Sequence, residues 1–191
     1  MTVTELAAAD ESYYFSGMGY RISGGVTKGD EGTAINPINE KALTESLICG
    51  VICSDASITA PSGTKSRNRG AVTGKGEWKV TGDPTEAALL IAASKAGITK
   101  ASLENERRRL DEFPFDSENR FMAVHCICGS GRRMYFKGAE EVLLPRCSMY
   151  MAENGEMLPL TPAVRSRISA KMIEMSDKAL RVLALAYCDS D

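Results

Sequence analysis

Phe136-Lys137-Gly138-Ala139-Glu140 decides the reading of this chain, because an apolar run ends there and helix-forming residues begin. Arg133-Met134-Tyr135-Phe136 is bulky and suited to a pleated surface, which predicts a strand. Lys137 and Gly138 break that run, and Ala139 to Leu144 has helix-forming composition. A lysine at a strand end can project into a cleft. The glycine beside it removes the Cβ that would hold a ligand away from the backbone. On its own, a strand-end Lys-Gly pair is just as well an ordinary turn.

Upstream, Phe121 to Cys128 reads as a second strand, and Gly129-Ser130-Gly131 as the tight connection into Arg133 to Phe136. Together they predict an antiparallel hairpin directly before Lys137. Phe113-Pro114-Phe115 precedes it, followed by the polar turn Asp116-Ser117-Glu118-Asn119. The basic run Arg107-Arg108-Arg109 is expected to be the solvated face of a short helix capped by Ser102.

Gly82-Asp83-Pro84-Thr85-Glu86 opens the clearest helix, running to about Lys95 with Gly97 as its stop. Asp83 suits the N-cap, Pro84 the first helical position, and Glu86 the return partner three residues later. A capping box is a full structural explanation of Asp83 and Glu86 beside any ligand role. Pro37 to about Ser54 is a second predicted helix, with Leu43, Leu47, Ile48, Val51 and Ile52 at helical spacing. Thr161-Pro162 starts a third, to about Leu180, and Arg181 to Tyr187 is predicted as a buried strand.

The N-terminal part is less regular. Met1 to Leu6 alternates as a strand does and begins abruptly, as a segment of something longer would. Tyr13 to Phe15 and Tyr20 to Ile22 are short strand candidates. Gly24 to Asn36 is expected to be loop, and residues 60–76 a mobile basic surface loop.

At 191 residues the whole chain, 1–191, is long enough for one domain with a buried core. Its formal charge of −2 leaves no global basic excess, so a nucleic-acid partner is not expected. There is no apolar run of about 18 residues, so the chain itself is not expected to span a membrane. Six cysteines, Cys49, Cys53, Cys126, Cys128, Cys147 and Cys188, lie mostly in apolar segments. No pair has CxxC spacing, which favours reduced thiols over a zinc site and gives an expectation of no bound metal.

Four segments stand in order: Gly82-Asp83-Pro84-Thr85-Glu86, Phe113-Pro114-Phe115-Asp116-Ser117 with Arg120 and Met122, Phe136-Lys137-Gly138-Ala139-Glu140, and Leu180-Arg181-Val182-Leu183-Ala184-Leu185-Ala186. In this order and spacing the chain resembles the nucleotide-binding domain of P-type cation-transporting ATPases, on the calcium-pump and sodium-pump branch. The resemblance implies an α+β fold, mainly an antiparallel β-sheet flanked by α-helices, excised from a larger membrane pump and lying on its cytoplasmic side. It implies ATP as ligand, with Phe115 stacking on adenine, Glu86 accepting from its amino group, and Lys137 and Gly138 lining the pocket. Arg181 and Arg120 would reach the phosphates, and Thr85 and Met122 would be pocket wall.

The same resemblance implies the phosphorylation and actuator domains of a parent pump as partners, and magnesium only in that parent. The family's phosphorylated aspartate, in an Asp-Lys-Thr-Gly-Thr setting, is not in this chain, nor is a P-loop or kinase glycine loop. No catalytic residue is therefore expected here: the chain should bind ATP or ADP without hydrolysing it. Two rival readings are a non-nucleotide module in which Lys137 and the basic loop Lys65 to Lys75 dock a protein or lipid, and a self-contained phosphotransferase.

Overall fold

The computed structural model describes residues 1–59, 78–104 and 106–190; the predicted loop 60–76 lies outside them. Two four-stranded antiparallel sheets carry the architecture. The first is a meander of β1 (Glu5–Ala8), β2 (Glu11–Phe15), β3 (Val26–Lys28) and β4 (Thr33–Ala34), in that order. Tyr20 to Ile22 is not a strand, whereas the segment expected to be loop supplies β3 and β4. Their brevity and glycine-rich flanks hid them from a reading by period.

A short 3-10 turn, Pro37–Asn39, leads into α1 (Lys41–Ile52), the central helix, with eight buried residues that include Leu43, Leu47 and Val51. The hairpin of β5 (Ser57–Thr59) and β6 (Lys79–Thr81) follows, then α2 (Pro84–Lys95) and the single turn α3 (Lys100–Leu103). Thr99, not Ser102, caps α3: its hydroxyl accepts from Ser102 N–H while Ser102 returns the bond.

The second sheet holds β7 (Arg107–Asp116), β8 (Phe121–Cys128), β9 (Gly131–Gly138) and β12 (Ala184–Ser190), in the order β12-β9-β8-β7. The predicted hairpin is present, with Gly129 at φ 61° as the first of two connecting residues, where a tight hairpin turn calls for positive φ. β9 runs on through Lys137 and Gly138, so the pair ends the strand and does not interrupt it. Between β9 and β12 lie α4 (Glu140–Leu143), the hairpin of β10 (Met149–Met151) and β11 (Met157–Pro159), and α5 (Pro162–Asp177).

The Arg107–Arg109 run is the start of β7, not a helix. Arg107 pairs with Glu45 on α1 at 3.0 Å and Arg109 with Asp55 at 2.9 Å, so these charges have partners across the core edge. Paired residues in adjacent strands face the same way. The rows Val124–Tyr135 and Cys126–Arg133 therefore turn toward α1, and Val124, Tyr135 and Cys126 are fully buried. α1 thus lies between the second sheet and α2, and the core forms around it. Burial raises the Cys126 thiol to about 11, as suits a small hydrophobe with no reactive role.

Candidate functional site

One row crosses the second sheet at its end: Asp116 of β7 pairs with Phe121 of β8, Phe121 with Gly138 of β9, and Gly138 with Ala184 of β12. Phe115 lies one residue before this row, Arg120 one residue before it on β8, Lys137 one before it on β9, and Arg181 three before it on the segment entering β12. Four sequence segments, the first and last 66 residues apart, therefore meet at one sheet end, because antiparallel pairing alternates the chain direction.

Phe115 is placed by a bulge. Between Phe113 and Asp116 the β7–β8 register shifts, so Pro114 and Phe115 fall outside the ladder. Pro114 is tolerated there because β7 is an edge strand and asks no ladder hydrogen bond of it. The bulge re-aims the following ring, and Phe115 is 61% exposed. Phe113, 45% exposed, stacks on Phe121 with centroids 5.6 Å apart, and Phe121 lies 6.2 Å from Phe136. This aromatic ledge on the outer face of the sheet was not recognised from sequence. Its signal was available: Phe113, Phe121 and Phe136 share one strand parity once the hairpin register is fixed.

Asp116 closes the β7–β8 turn by accepting from the N–H groups of Glu118 and Asn119, at 3.1 and 3.3 Å. Those N–H groups hold its carboxyl below the ordinary range. The turn leaves Arg120 at φ 58°, exposed, with its guanidinium 2.5 Å from Glu141 on α4. Glu141 is itself held below the usual carboxylate range, first by its own N–H at the start of α4 and then by Arg120.

Gly138 is required by packing. A Cβ there would stand 2.5 Å from Phe121 Cβ and 2.6 Å from the Arg120 carbonyl oxygen. The glycine lets β9 approach the start of β8; the close approach seen is to protein backbone.

Lys137 is only 7% exposed, and its ammonium donates to Glu86 Oε1 at 2.8 Å. The second oxygen of Glu86 accepts from the backbone N–H groups of Asp55 and Ala56, at 2.7 and 2.9 Å. Glu86 is therefore not the return partner of a capping box. Asp83 alone caps α2, its Oδ1 accepting from Thr85 and Glu86 N–H at 2.8 and 3.1 Å, and Glu86 reaches across to the α1–β5 turn and to β9. Thr85 is half-buried at the same helix start. Arg181 is exposed in the extended segment before β12, which begins three residues later than the strand expected from sequence.

Met122 pairs with Lys137 on the α1 side of the sheet and is 2% exposed, so its side chain packs with the core next to Lys137.

The opposite end of the sheet carries two open clefts of about 300 and 810 Å³ that share Glu45 and Arg133. Arg133 already pairs with Glu45 and Asp189 and lies 3.9 Å over the Tyr187 ring, and Arg107 pairs with Glu45. These cations are paired within the protein and mostly buried, whereas at the ledge end Arg120, though beside Glu141, and Arg181 are exposed.

The fold is thus an α+β domain with mainly antiparallel sheets, the architecture that the four segments implied. A family profile described as P-type ATPase, cytoplasmic domain N, matches residues 42–191. Among curated proteins, the chain is 34% identical over 195 residues to cation-transporting ATPase pma1 of Synechocystis sp., covering 97% of this chain and 20% of that protein. It is 31% identical to a calcium-transporting ATPase of Bacillus subtilis, covering 98% of this chain and 19% of that protein. It is 33% identical to calcium-transporting ATPase type 2C member 2 of Mus musculus, covering 97% and 18% respectively.

The chain belongs to the P-type ATPase family, as its cytoplasmic domain N. It spans about a fifth of the length of these relatives. Among the described residues, no helix is long and apolar enough to cross a membrane.

Proposed function

We propose that this chain is the ATP-binding domain of a P-type cation-transporting ATPase, holding adenine while domain closure carries the γ-phosphate to an aspartate in a separate phosphorylation domain. The observation that carries this reading is the convergence of Phe115, Arg120, Lys137, Gly138 and Arg181 at one end of the second sheet, with Glu86 tied to Lys137.

Each group has a physical task. The exposed Phe115 ring offers a stacking face, and base–aromatic stacking contributes about 1–3 kcal/mol. Two backbone N–H groups fill Glu86 Oε2, while Oε1 takes Lys137 and keeps one acceptor direction. One remaining acceptor direction suits an exocyclic amino group and disfavours a carbonyl at the same position, hence adenine over guanine. Arg120 and Arg181 are exposed cations suited to a polyphosphate by charge-assisted hydrogen bonds. Such a set fits phosphate oxygens and not a divalent cation, so magnesium belongs to carboxylates of the phosphorylation domain. No nucleophile or general base is assigned to this chain, and it should not hydrolyse ATP alone.

One stacked base plus a few half-exposed polar contacts gives roughly 4 kcal/mol, or about millimolar affinity. ATP, ADP and AMP should bind the isolated chain within a few-fold of one another, with or without magnesium. Titration followed by amide chemical shifts tests this. A strict magnesium requirement, or turnover above the buffer blank, would argue for a self-contained phosphotransferase instead.

A further inference from the structure

The Glu86 carboxylate is only as well placed as the two N–H groups that hold it. Asp55 and Ala56 sit in the turn between α1 and β5, and their backbone direction decides where the free lone pair of Glu86 Oε1 points. That turn is gripped from the far side by one residue. Arg109 Nη2 donates to the carbonyl of Ile52, the last residue of α1, at 2.9 Å, and Nη1 donates to Asp55 Oδ1 at 2.9 Å. The guanidinium therefore spans both ends of the turn. Lys100 adds a bond to the Ala56 carbonyl at 2.7 Å, and a Cβ on Gly82 would come within 2.8 Å of Ala56 Cα, so the turn is also packed against the start of α2.

We propose that Arg109 is a positioning residue for base discrimination, acting through the Asp55–Ala56 turn on the Glu86 carboxylate. The inference rests on the reading of Glu86 as the group that reads the base, and extends it to a residue that touches no ligand. An ion pair that is 36% exposed at Arg109 and 59% at Asp55 contributes little to stability. Its consequence is geometric. The carbonyl at the end of α1 lacks an intrahelical partner and attracts a cation, and a planar fork fixes both acceptors at once. Lysine offers a point charge and cannot span them in one plane.

The test compares ATP with GTP on the 191-residue chain, for the parent and for Arg109→Lys, Asp55→Ala and Glu86→Gln, with thermal melting of each. The expected result is that Arg109→Lys lowers the preference for ATP by roughly three- to tenfold, the size of one misaligned hydrogen bond. Melting temperature and GTP affinity should be unchanged, since stacking and phosphate contacts remain. Asp55→Ala, at an exposed position, should move the preference in the same direction by less. A merely structural role would lower stability or weaken both nucleotides together. If Arg109→Lys and Asp55→Ala keep the parent preference while Glu86→Gln abolishes it, the positioning role is overturned and the base reading stands. If Glu86→Gln also keeps it, both fall.

Discussion

Phe115 and Gly138 illustrate two opposite kinds of site residue. The Phe115 ring packs little of itself into the fold, so Phe115→Ala should leave the melting temperature within a degree or two. It should weaken ATP binding by about tenfold or more, as expected for loss of one stacked base. A titration and a thermal melt on the same sample check both halves. A Cβ at Gly138 would come within 2.5 Å of Phe121 Cβ and 2.6 Å of the Arg120 carbonyl oxygen, so Gly138→Ala forces β8 and β9 apart whether or not nucleotide is present. A destabilisation of about 1–3 kcal/mol by denaturant titration is expected. Residue type alone could not separate these cases. Phe115 could as well have been core, and its exposure depends on a one-residue register shift that no local pattern announces. Met122 shows the converse, since strand parity sends it to the α1 side.

At the level of elements, local chemistry was readable and partner choice was not. Asp83 caps α2 as its sequence setting predicts. Its burial opposes ionisation, but the N–H groups of Glu86 and Thr85 outweigh that and leave its carboxyl below the ordinary value. Asp83→Ala should therefore cost about 1 kcal/mol at neutral pH. A carboxyl with a lowered folded value stabilises fully above its unfolded value of about 3.9 and loses that contribution as pH falls through the folded one. The gap between parent and variant in urea melts should be constant from pH 7 to 5 and should close below about pH 4.

Glu86, by contrast, has the spacing for the second half of that cap as well as for a ligand role, and the sequence alone does not choose between them. The competing partners, Lys137 and the Asp55–Ala56 turn, come from elements 51 and about 30 residues away. The Arg107–Arg109 run was misread for a related reason. A charge run has no apolar period, and only the position of Glu45 and Asp55 shows that β7 places Arg107 and Arg109 against α1 and the turn that follows it.

A further long-range tie joins the first sheet to α5. Glu5, only 3% exposed, meets Lys171 at 2.9 Å and Lys178 at 3.1 Å, and Glu174 bridges both lysines. Glu5→Ala would leave both ammonium groups with Glu174 alone, and a loss of about 1 kcal/mol by denaturant titration is expected after allowing for solvent screening.

For the whole molecule, the four segments of the resemblance implied the class of fold; the antiparallel order β12-β9-β8-β7 brings three of them together, and the bond from Lys137 to Glu86 ties in the fourth. What lay beyond the sequence was which side of the sheet each side chain takes and which cations are already satisfied. Arg107 and Arg133 sit with Glu45 at one end, whereas Arg120 and Arg181 are exposed at the other, with Arg120 beside Glu141. The two ends therefore make different claims on a polyanion. Mapping ATP-induced amide shift changes across the chain decides between them. The account predicts the largest changes at Phe115, Arg120, Lys137, Gly138 and Arg181, with small ones at Glu45, Arg107 and Arg133. Changes concentrated around Glu45 and Arg133, or none at millimolar ATP, would contradict it.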